Sequence, residues 1–194
     1  MTASHPINAW RNRIVGLVLA VAIYAIDRYV KWLVEGPLEL RFEGHHMDLL
    51  PFFDLTRTHN HGVSLGAFPA TSPEMRWILV AVTGLIALIV FVWLMREKLL
   101  AEIAGLALIL GGALGNIQDR FQRGYVLDYA DFHVGEFRPF LIFNVADAAI
   151  TIGVLIILAR ALFMREKPPA PQGINHAAQD ENVADHTAEN STNA

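Results

Sequence analysis

Four long apolar runs, separated by polar segments, dominate the pattern of residues along the chain. They occupy residues 14–34, 77–95, 99–117 and 146–164. Each run has close to the ~20 residues that an α-helix needs to cross the apolar core of a bilayer. The pattern therefore predicts an all-α membrane protein with four transmembrane helices.

The first apolar run also resembles the core of a signal peptide, because Arg11 and Arg13 precede it. No cleavage site of small residues follows, and the run continues instead through Asp27, Arg28 and Lys31. We therefore expect a retained helix. Asp27 and Lys31 are four residues apart, so they share a helical face and can form an ion pair that faces the bundle.

The connection between the first two runs, residues 35–74, is long and carries short alternating segments. Apolar and polar residues alternate at 38–43 and 53–58, which is typical of short strands. A connection of this length without regular structure would be unusual. We expect a small extracytoplasmic β element on this loop between helices 1 and 2.

Small residues line part of the third run, where Gly111, Gly112 and Gly115 include the Gly-x-x-x-Gly spacing. Without side chains at these positions, the backbone of a neighbouring helix can approach closely. We therefore expect other helices to pack tightly against the third helix at this level.

The fourth run begins with Asn144 and Asp147 at the spacing of a capping box, with Asn144 as the N-cap. Capping alone would account for both residues. A carboxylate in the first turn of a helix is also stabilised as an anion by the helix dipole, so capping does not exclude a chemical role. Near the end of the run, Arg160 can extend to the membrane interface.

The flanks of the runs predict the orientation of the chain in the membrane. Basic residues are denser near the ends of the runs at the N-terminus, at 96–98 and after the fourth run, which places both termini in the cytoplasm. Tryptophans lie at the ends of the first two runs, where an aromatic belt is expected: Trp10, Trp32, Trp77 and Trp93.

Composition supports the membrane class and divides the chain in two. Hydrophobic residues make up 54% of the chain, above the ~45–50% of soluble domains. The net charge of −4 lies in residues 166–194, which carry no aromatic residue and are expected to form a disordered acidic cytoplasmic tail. Residues 1–165 are then the transmembrane domain. No basic cluster indicates a nucleic-acid partner, and the absence of cysteine excludes disulfides and thiolate chemistry.

Polar residues gather where the last two runs end, and they are the candidates for chemistry. Asn116, Asp119 and Arg120 share one helical stripe with Gly112. If Asp147 lies close to a second carboxylate, the two share a proton, so that one can activate water and the other can protonate a leaving amine. Three carboxylates can supply the partner: Asp119, Asp128 and Asp131.

Two other classes of function remain open from the residues alone. Residues 62–66 match the Gly-x-Ser-x-Gly pattern, so Ser64 with His133 could form a membrane serine hydrolase, although the α/β units of that pattern are absent. A non-enzymatic, proton-coupled protein could use the buried acids, although no pair of interrupted helices is seen.

Histidines in the first loop are the candidates for a metal site. His45 with His46, and His59 with His61, could each supply two ligands. No helical His-Glu-x-x-His and no further ligand set has a recognisable spacing. We expect no metal and no other cofactor.

Five polar motifs follow one another along the chain: Asp27-x-x-x-Lys31, Asn60-x-Gly62, the block GGALGNIQDR at 111–120, Gly124-x-Val-x-Asp128-Tyr129 and the block FNVADAAI at 143–150. Taken together, they resemble the motifs of lipoprotein signal peptidases (signal peptidase II), the bacterial inner-membrane aspartyl proteases. The resemblance covers residues 14–164, and the order and spacing of its blocks are specific.

The resemblance implies a catalytic pair formed by Asp128 and Asp147. The substrate-binding or supporting residues that it implies are Asp27, Lys31, Asn60, Gly62, Asn116, Arg120 and Asn144. On this basis Asn116 and Asn144 position the pair or the scissile backbone, and Arg120 ties the second outer loop to the third helix.

The resemblance also implies a substrate, an inhibitor and a location. The family cuts prolipoproteins before a diacylglyceryl-modified cysteine, uses no metal and is blocked by globomycin. Its members have four transmembrane helices in the inner membrane, cytoplasmic termini, a small β element and an active site near the outer face. The partners expected for this chain are therefore prolipoproteins, membrane lipid and globomycin-type inhibitors.

This chain departs from the usual family motifs at two places. Arg28 follows Asp27 where the family usually has glutamine. The second motif often reads Asn-x-Gly-Ala-Ala-Phe, but residues 60–65 here read NHGVSL. Both departures can alter the walls of the substrate cleft, and neither affects Asp128 or Asp147.

Overall fold

The computed structural model describes residues 6–62 and 72–163. The described part of each apolar run lies in a helix, apart from Leu99, which is the N-cap of the third, and three strands occupy the described connections. In chain order the elements are α1 (Pro6–Glu35), β1 (His46–Leu50), β2 (Phe53–Asn60), α2 (Pro73–Arg96), α3 (Leu100–Arg123), β3 (Val126–Phe132) and α4 (Val145–Phe163). Ser64 and the predicted tail at 166–194 lie outside the described residues.

Helix α3 is the centre of the bundle and packs against α1, α2 and α4. It is the most extensively buried of the helices, and Ile103, Leu106 and Ala107 have no exposed surface. Helices α2 and α4 expose most of their apolar side chains. Such outward-facing apolar surface suits a lipid environment.

Three helices, α2, α3 and α4, are long and apolar enough to cross a membrane. Helix α1 is the longest, but it is not among these three. Its last third carries Asp27, Arg28 and Lys31. The structure therefore has a mainly helical, membrane-type fold, and a fourth span remains a prediction.

The glycines of α3 allow two other helices to approach its backbone, as the sequence predicted. A Cβ atom at Gly111 would lie 2.5 Å from the carbonyl oxygen of Ala20 in α1. A Cβ atom at Gly112 would clash with the carbonyl oxygen of Ala146 in α4. Both helices are thus held against α3 at the level where its polar residues begin.

The strands form one antiparallel sheet in the order β1-β2-β3. The predicted strand at 53–58 lies within β2, but the segment 38–43 is not a strand. Glu39 has a φ of 52°, outside the extended region, and the first strand forms further along the chain. The β element is therefore on the expected loop only in part.

The third strand, β3, comes from the connection between α3 and α4, where the sequence pattern predicted no strand. All of its residues except Phe132 are buried, so it lacks the alternation that identifies a strand with one exposed face. Helix α3 ends at Gly124, whose φ of 86° turns the chain directly into β3. This turn brings the middle of β3 next to the polar end of α3.

Candidate active site

Asp128 and Asp147 lie on different elements and are joined by Asn144. Asp128 is in the middle of β3 and 2% exposed, whereas Asp147 is half-buried in the first turn of α4. The Asn144 side chain donates from Nδ2 to Asp128 Oδ1 at 2.6 Å. Its Oδ1 accepts the Asp147 backbone N–H at 2.9 Å. The structure thus brings these two predicted residues together.

The predicted capping box at the start of α4 is present. Besides the bond from the Asp147 N–H, the Asn144 backbone N–H donates to Asp147 Oδ2 at 3.4 Å. These reciprocal bonds fix the first turn of the helix. Because the same Asn144 side chain also binds Asp128, the cap and the carboxylate pair form a single unit.

Asn116 of α3 binds the other side of this unit. Its Nδ2 donates to Asp147 Oδ1 at 2.8 Å, and its Oδ1 accepts from Asn144 Nδ2 at 3.4 Å. Gly112, one turn earlier on α3, permits the close approach of α4 that these contacts need. Asn116 therefore orients the Asp147 carboxylate, and its predicted role in positioning the pair stays a prediction.

Asn60, Gly62 and Arg120 form a chain of contacts that reaches Asp128 from the first loop. Asn60 Nδ2 donates to Asp128 Oδ2 at 3.1 Å, and Asn60 Oδ1 accepts the Gly62 N–H at 3.0 Å. Arg120 Nη2 donates to the Gly62 carbonyl oxygen at 2.7 Å. Arg120 therefore holds the loop that follows β2. The prediction that it ties the second outer loop was wrong, because pairing of β2 with β3 brings Gly62 to the end of α3.

Burial and charge give the two carboxylates different electrostatic settings. Burial, followed by the nearby charge of Asp147, raises the pKa of Asp128 to about 7, although the amides of Asn60 and Asn144 oppose the shift. Asp147 accepts two hydrogen bonds at the N-terminus of α4, where the helix dipole favours an anion. Such a pair can hold one proton between two carboxyl groups.

Tyr129 is a neighbour of the pair for which the sequence predicted no role. It is 4% exposed, and its hydroxyl oxygen accepts the backbone N–H of Val145, the first residue of α4. Burial raises the pKa of Tyr129 above its usual value, so it stays a neutral phenol. The signal in the sequence was its place directly after Asp128 in a recognised motif.

The predicted ion pair of Asp27 and Lys31 is present, with a third member that was not predicted. Lys31 Nζ lies 2.8 Å from Asp27 Oδ2 and 2.7 Å from Asp119 Oδ2. Asp119 also binds Arg28 and Arg123. Asp27 and Lys31 do not bind Asp128 or Asp147 directly. The charge of Lys31 acts on Asp128 through space and opposes the rise of its pKa, and Asp27 reaches the backbone beside Asp147 through the Ala146 N–H.

The two remaining candidate partners of Asp147 are engaged elsewhere. Asp119 lies among three cations, and the Asp131 carboxylate accepts from Arg138 at 3.1 Å and from Thr56 at 3.0 Å. These contacts of Asp119 and Asp131 are structural.

Arg160 forms an ion pair with Glu102 of α3 at 3.2 Å. The sequence had predicted that the Arg160 side chain extends to the membrane interface.

His133, the partner suggested for Ser64, lies at the other end of the sheet from Asn60. Its Nε2 is 2.9 Å from Asp54 Oδ2, beside the pair of Phe53 and Phe132. Of the loop histidines, His59 stacks on Tyr125 with ring centroids 3.9 Å apart. Within residues 6–62 and 72–163, no three His, Asp or Glu side chains are arranged to hold a metal ion.

The model of the family described as Signal peptidase (SPase) II matches residues 19–163. The chain belongs to the signal peptidase II family. This membership makes it a membrane protease of lipoprotein processing. The matched range contains every predicted site residue.

Relatives in this family cover most of the chain. The lipoprotein signal peptidase of Sphingopyxis alaskensis is 52% identical over 152 residues, which are 78% of this chain and 87% of the relative. That of Rhizorhabdus wittichii is 49% identical over 160 residues, 82% of this chain and 92% of the relative. That of Francisella tularensis is 38% identical over 163 residues, 82% of this chain and 99% of the relative.

Solved structures of bacterial membrane enzymes share the fold of this signal peptidase II family member. One is 26% identical with a TM-score of 0.66 and covers 77% of this chain and 93% of its own. Another is 24% identical with a TM-score of 0.67, and the match covers 80% of this chain and 94% of the other. At this identity it supports the fold alone. The mainly helical membrane fold is therefore shared with these enzymes.

Proposed function

We propose that the chain is an intramembrane aspartyl endopeptidase that removes the signal peptide from prolipoproteins. It cuts the amide bond before a diacylglyceryl-modified cysteine, with Asp128 and Asp147 as the catalytic residues. The observation that carries this proposal is the pair of carboxylates joined by Asn144, one on β3 and one in the first turn of α4.

In this mechanism the two carboxylates begin in different protonation states. Asp147, which accepts hydrogen bonds at a helix N-terminus, starts as the carboxylate and takes a proton from water as the water attacks the scissile carbonyl carbon. Asp128, whose pKa lies near 7, holds the proton that moves to the carbonyl oxygen. The proton on Asp147 then passes to the leaving amine as the C–N bond breaks, while one hydroxyl of the tetrahedral intermediate returns its proton to Asp128 and becomes the carbonyl of the released acid. No covalent enzyme intermediate forms.

The supporting residues keep the two carboxylates in a reactive arrangement. Asn144 and Asn116 hold Asp147, while Asn144 and Asn60 hold Asp128. The contact from Arg120 to Gly62 fixes the orientation of Asn60. Groups held in place before the reaction do not need to reorganise in the transition state, which is the usual basis of such catalysis.

The contacts of the other aspartates support this choice of pair. Asp119 is surrounded by Arg28, Lys31 and Arg123, and Asp131 by Arg138 and Thr56. A carboxylate neutralised by cations is a poor store for a shared proton.

The proposed topology has four spans, with both termini in the cytoplasm and the pair near the outer face of the inner membrane. The charges of the remaining helix, α1, support this topology, because Asp27, Arg28 and Lys31 are paired with one another or with Asp119. The acyl chains of the substrate would stay in the bilayer between helices, and globomycin-type inhibitors would compete for the site.

The test is cleavage of a purified prolipoprotein, followed by mass spectrometry of the products. We expect one new N-terminus, at the diacylglyceryl-modified cysteine, and no cleavage of the same precursor without the lipid. Globomycin should stop the reaction. Equal cleavage of the unlipidated precursor, or a cut elsewhere, would show that the proposed substrate is wrong.

A further inference from the structure

Two buried carboxylates hold the backbone directly beside the proposed catalytic residues. Asp27 Oδ1 accepts the backbone N–H of Ala146 at 3.2 Å, and Ala146 precedes Asp147. Asp119 Oδ2 accepts the backbone N–H of Leu127 at 3.3 Å, and Leu127 precedes Asp128. We call these two backbone hydrogen bonds the anchors. They are equivalent, because each holds the residue directly before a member of the pair.

Lys31 joins these two carboxylates. Its Nζ lies 2.8 Å from Asp27 Oδ2 and 2.7 Å from Asp119 Oδ2, and none of the three side chains has exposed surface. Burying three charges is expensive, and apolar residues of similar volume often stabilise a fold equally well. The three charges of Asp27, Lys31 and Asp119 are therefore expected to serve the groups that they hold, and not stability alone.

We infer that Lys31, through Asp27 and Asp119, is the positioning residue that sets the separation of Asp128 and Asp147. This inference rests on the proposed function. Strand β3 and the first turn of α4 are separate elements, and each is attached to one end of the Asp27–Lys31–Asp119 bridge by a backbone hydrogen bond. The position of one amine thereby determines how far apart the two anchors lie.

Loss of the amine should therefore separate the anchors. Without Lys31, the carboxylates of Asp27 and Asp119 repel each other in a buried site. Asp119 would keep Arg28 and Arg123 on its Oδ1 atom. Asp27 has Lys31 as its basic partner in the part of the chain that the structure describes, so the displacement should fall on Asp27, Ala146 and the start of α4.

The test compares two substitutions around the same carboxylate, in full-length protein with a diacylglyceryl-modified prolipoprotein. Lys31→Met removes the group on Asp119 Oδ2 and should lower kcat about 100-fold with KM nearly unchanged, the effect of a displacement near 1 Å. Arg123→Gln removes a group on Oδ1 and leaves Arg28 there, so kcat should stay within about threefold of wild type. Near-normal kcat in folded Lys31→Met would overturn the inference.

A second variant separates positioning from folding. Asp27→Asn combined with Lys31→Met removes both charges but keeps an amide oxygen that can accept the Ala146 N–H. It should recover the thermal stability that Lys31→Met loses, while kcat stays about 100-fold low because Asp119 is no longer joined to the other anchor. If kcat recovers together with stability, the bridge is only structural and the inference fails.

Asp128→Asn distinguishes failure of this inference from failure of the proposed function. If Asp128→Asn is inactive while Lys31→Met has normal kcat, only the positioning role is wrong. If Asp128→Asn retains activity, the catalytic pair is wrong, and the positioning role falls with it.

Discussion

At the scale of single residues, the proposed reaction and the stability of the fold place opposite requirements on Asp128. The proposed reaction needs a carboxyl group that holds a proton near neutral pH, and burial beside Asp147 provides this by raising the pKa of Asp128 to about 7. The same burial makes the ionised form unfavourable in the folded protein. A group tuned in this way is expected to reduce stability where it is charged.

We therefore predict that Asp128→Asn stabilises the protein above pH 7. The pKa of Asp128 rises from 3.8 in the unfolded chain to about 7 in the folded protein. An acidic group with a higher pKa in the folded state lowers the free energy of unfolding as the pH rises between the two values. The gain should reach at most about 4 kcal/mol and shrink toward pH 4. Thermal unfolding in detergent at pH 5 and pH 8 measures it, and equal stability of both proteins at pH 8 would contradict the account.

Asn144 allows its two roles to be separated by substitution. Asn144→Ala removes the helix cap and the bond to Asp128, and should cost about 1 kcal/mol of stability and about 100-fold in kcat. Asn144→Ser restores a capping oxygen without the amide that reaches Asp128. Its stability should resemble wild type while its kcat resembles that of the alanine variant. Full activity in Asn144→Ser would show that the bond to Asp128 is unnecessary.

At the scale of elements, the helices could be predicted from the sequence and the third strand could not. Long uninterrupted apolar runs are characteristic of membrane-spanning helices, and each of the four runs coincides with a helix over the residues that the structure describes, apart from the N-cap Leu99. Strand β3 is short and buried on both faces, so its residues show neither helical nor strand periodicity. The glycine stripe of α3 was recognised, but its contact with two helices at once emerged only from the packing.

The close packing of α3 on α4 gives a prediction with a matched control. Gly112→Ala would place a methyl group against the Ala146 backbone, push α4 outward and carry Asp147 with it. We expect a loss of about 1–3 kcal/mol in stability together with lower kcat. Gly84 of α2 has no neighbouring atom within 4 Å of an added Cβ, so Gly84→Ala should be neutral. Thermal unfolding and turnover of both variants test this, and similar effects at both glycines would count against it.

At the scale of the whole molecule, much of the candidate site was predictable because its motifs are specific. Asn60, Asn116 and Asn144, which the motifs singled out, all contact Asp128 or Asp147. The contacts of Asp119 and Arg120 were not predictable. Each joins α3 to a segment distant in the chain, and sequence spacing carries no information on such contacts.

The extent of the peptidase domain leads to a prediction about residues 166–194. The family model ends at residue 163, and α4 ends at Phe163. A protein that stops after residue 165 should therefore keep the kcat and KM of the full chain. Kinetics of the truncated protein in the same detergent measure this. A large loss of kcat would give the segment a role in the reaction.

The central claim is that Asp128 and Asp147 together carry out the cleavage. The most direct measurement is the turnover of a diacylglyceryl-modified prolipoprotein by Asp128→Asn and Asp147→Asn, with Asp131→Asn and Ser64→Ala as controls. Thermal unfolding shows that each protein is folded. We expect the first two variants to lose at least about 1,000-fold in kcat, since each removes a proposed reacting group, while both controls retain activity. Near-normal turnover by either Asp128→Asn or Asp147→Asn, or an inactive Ser64→Ala, would contradict it.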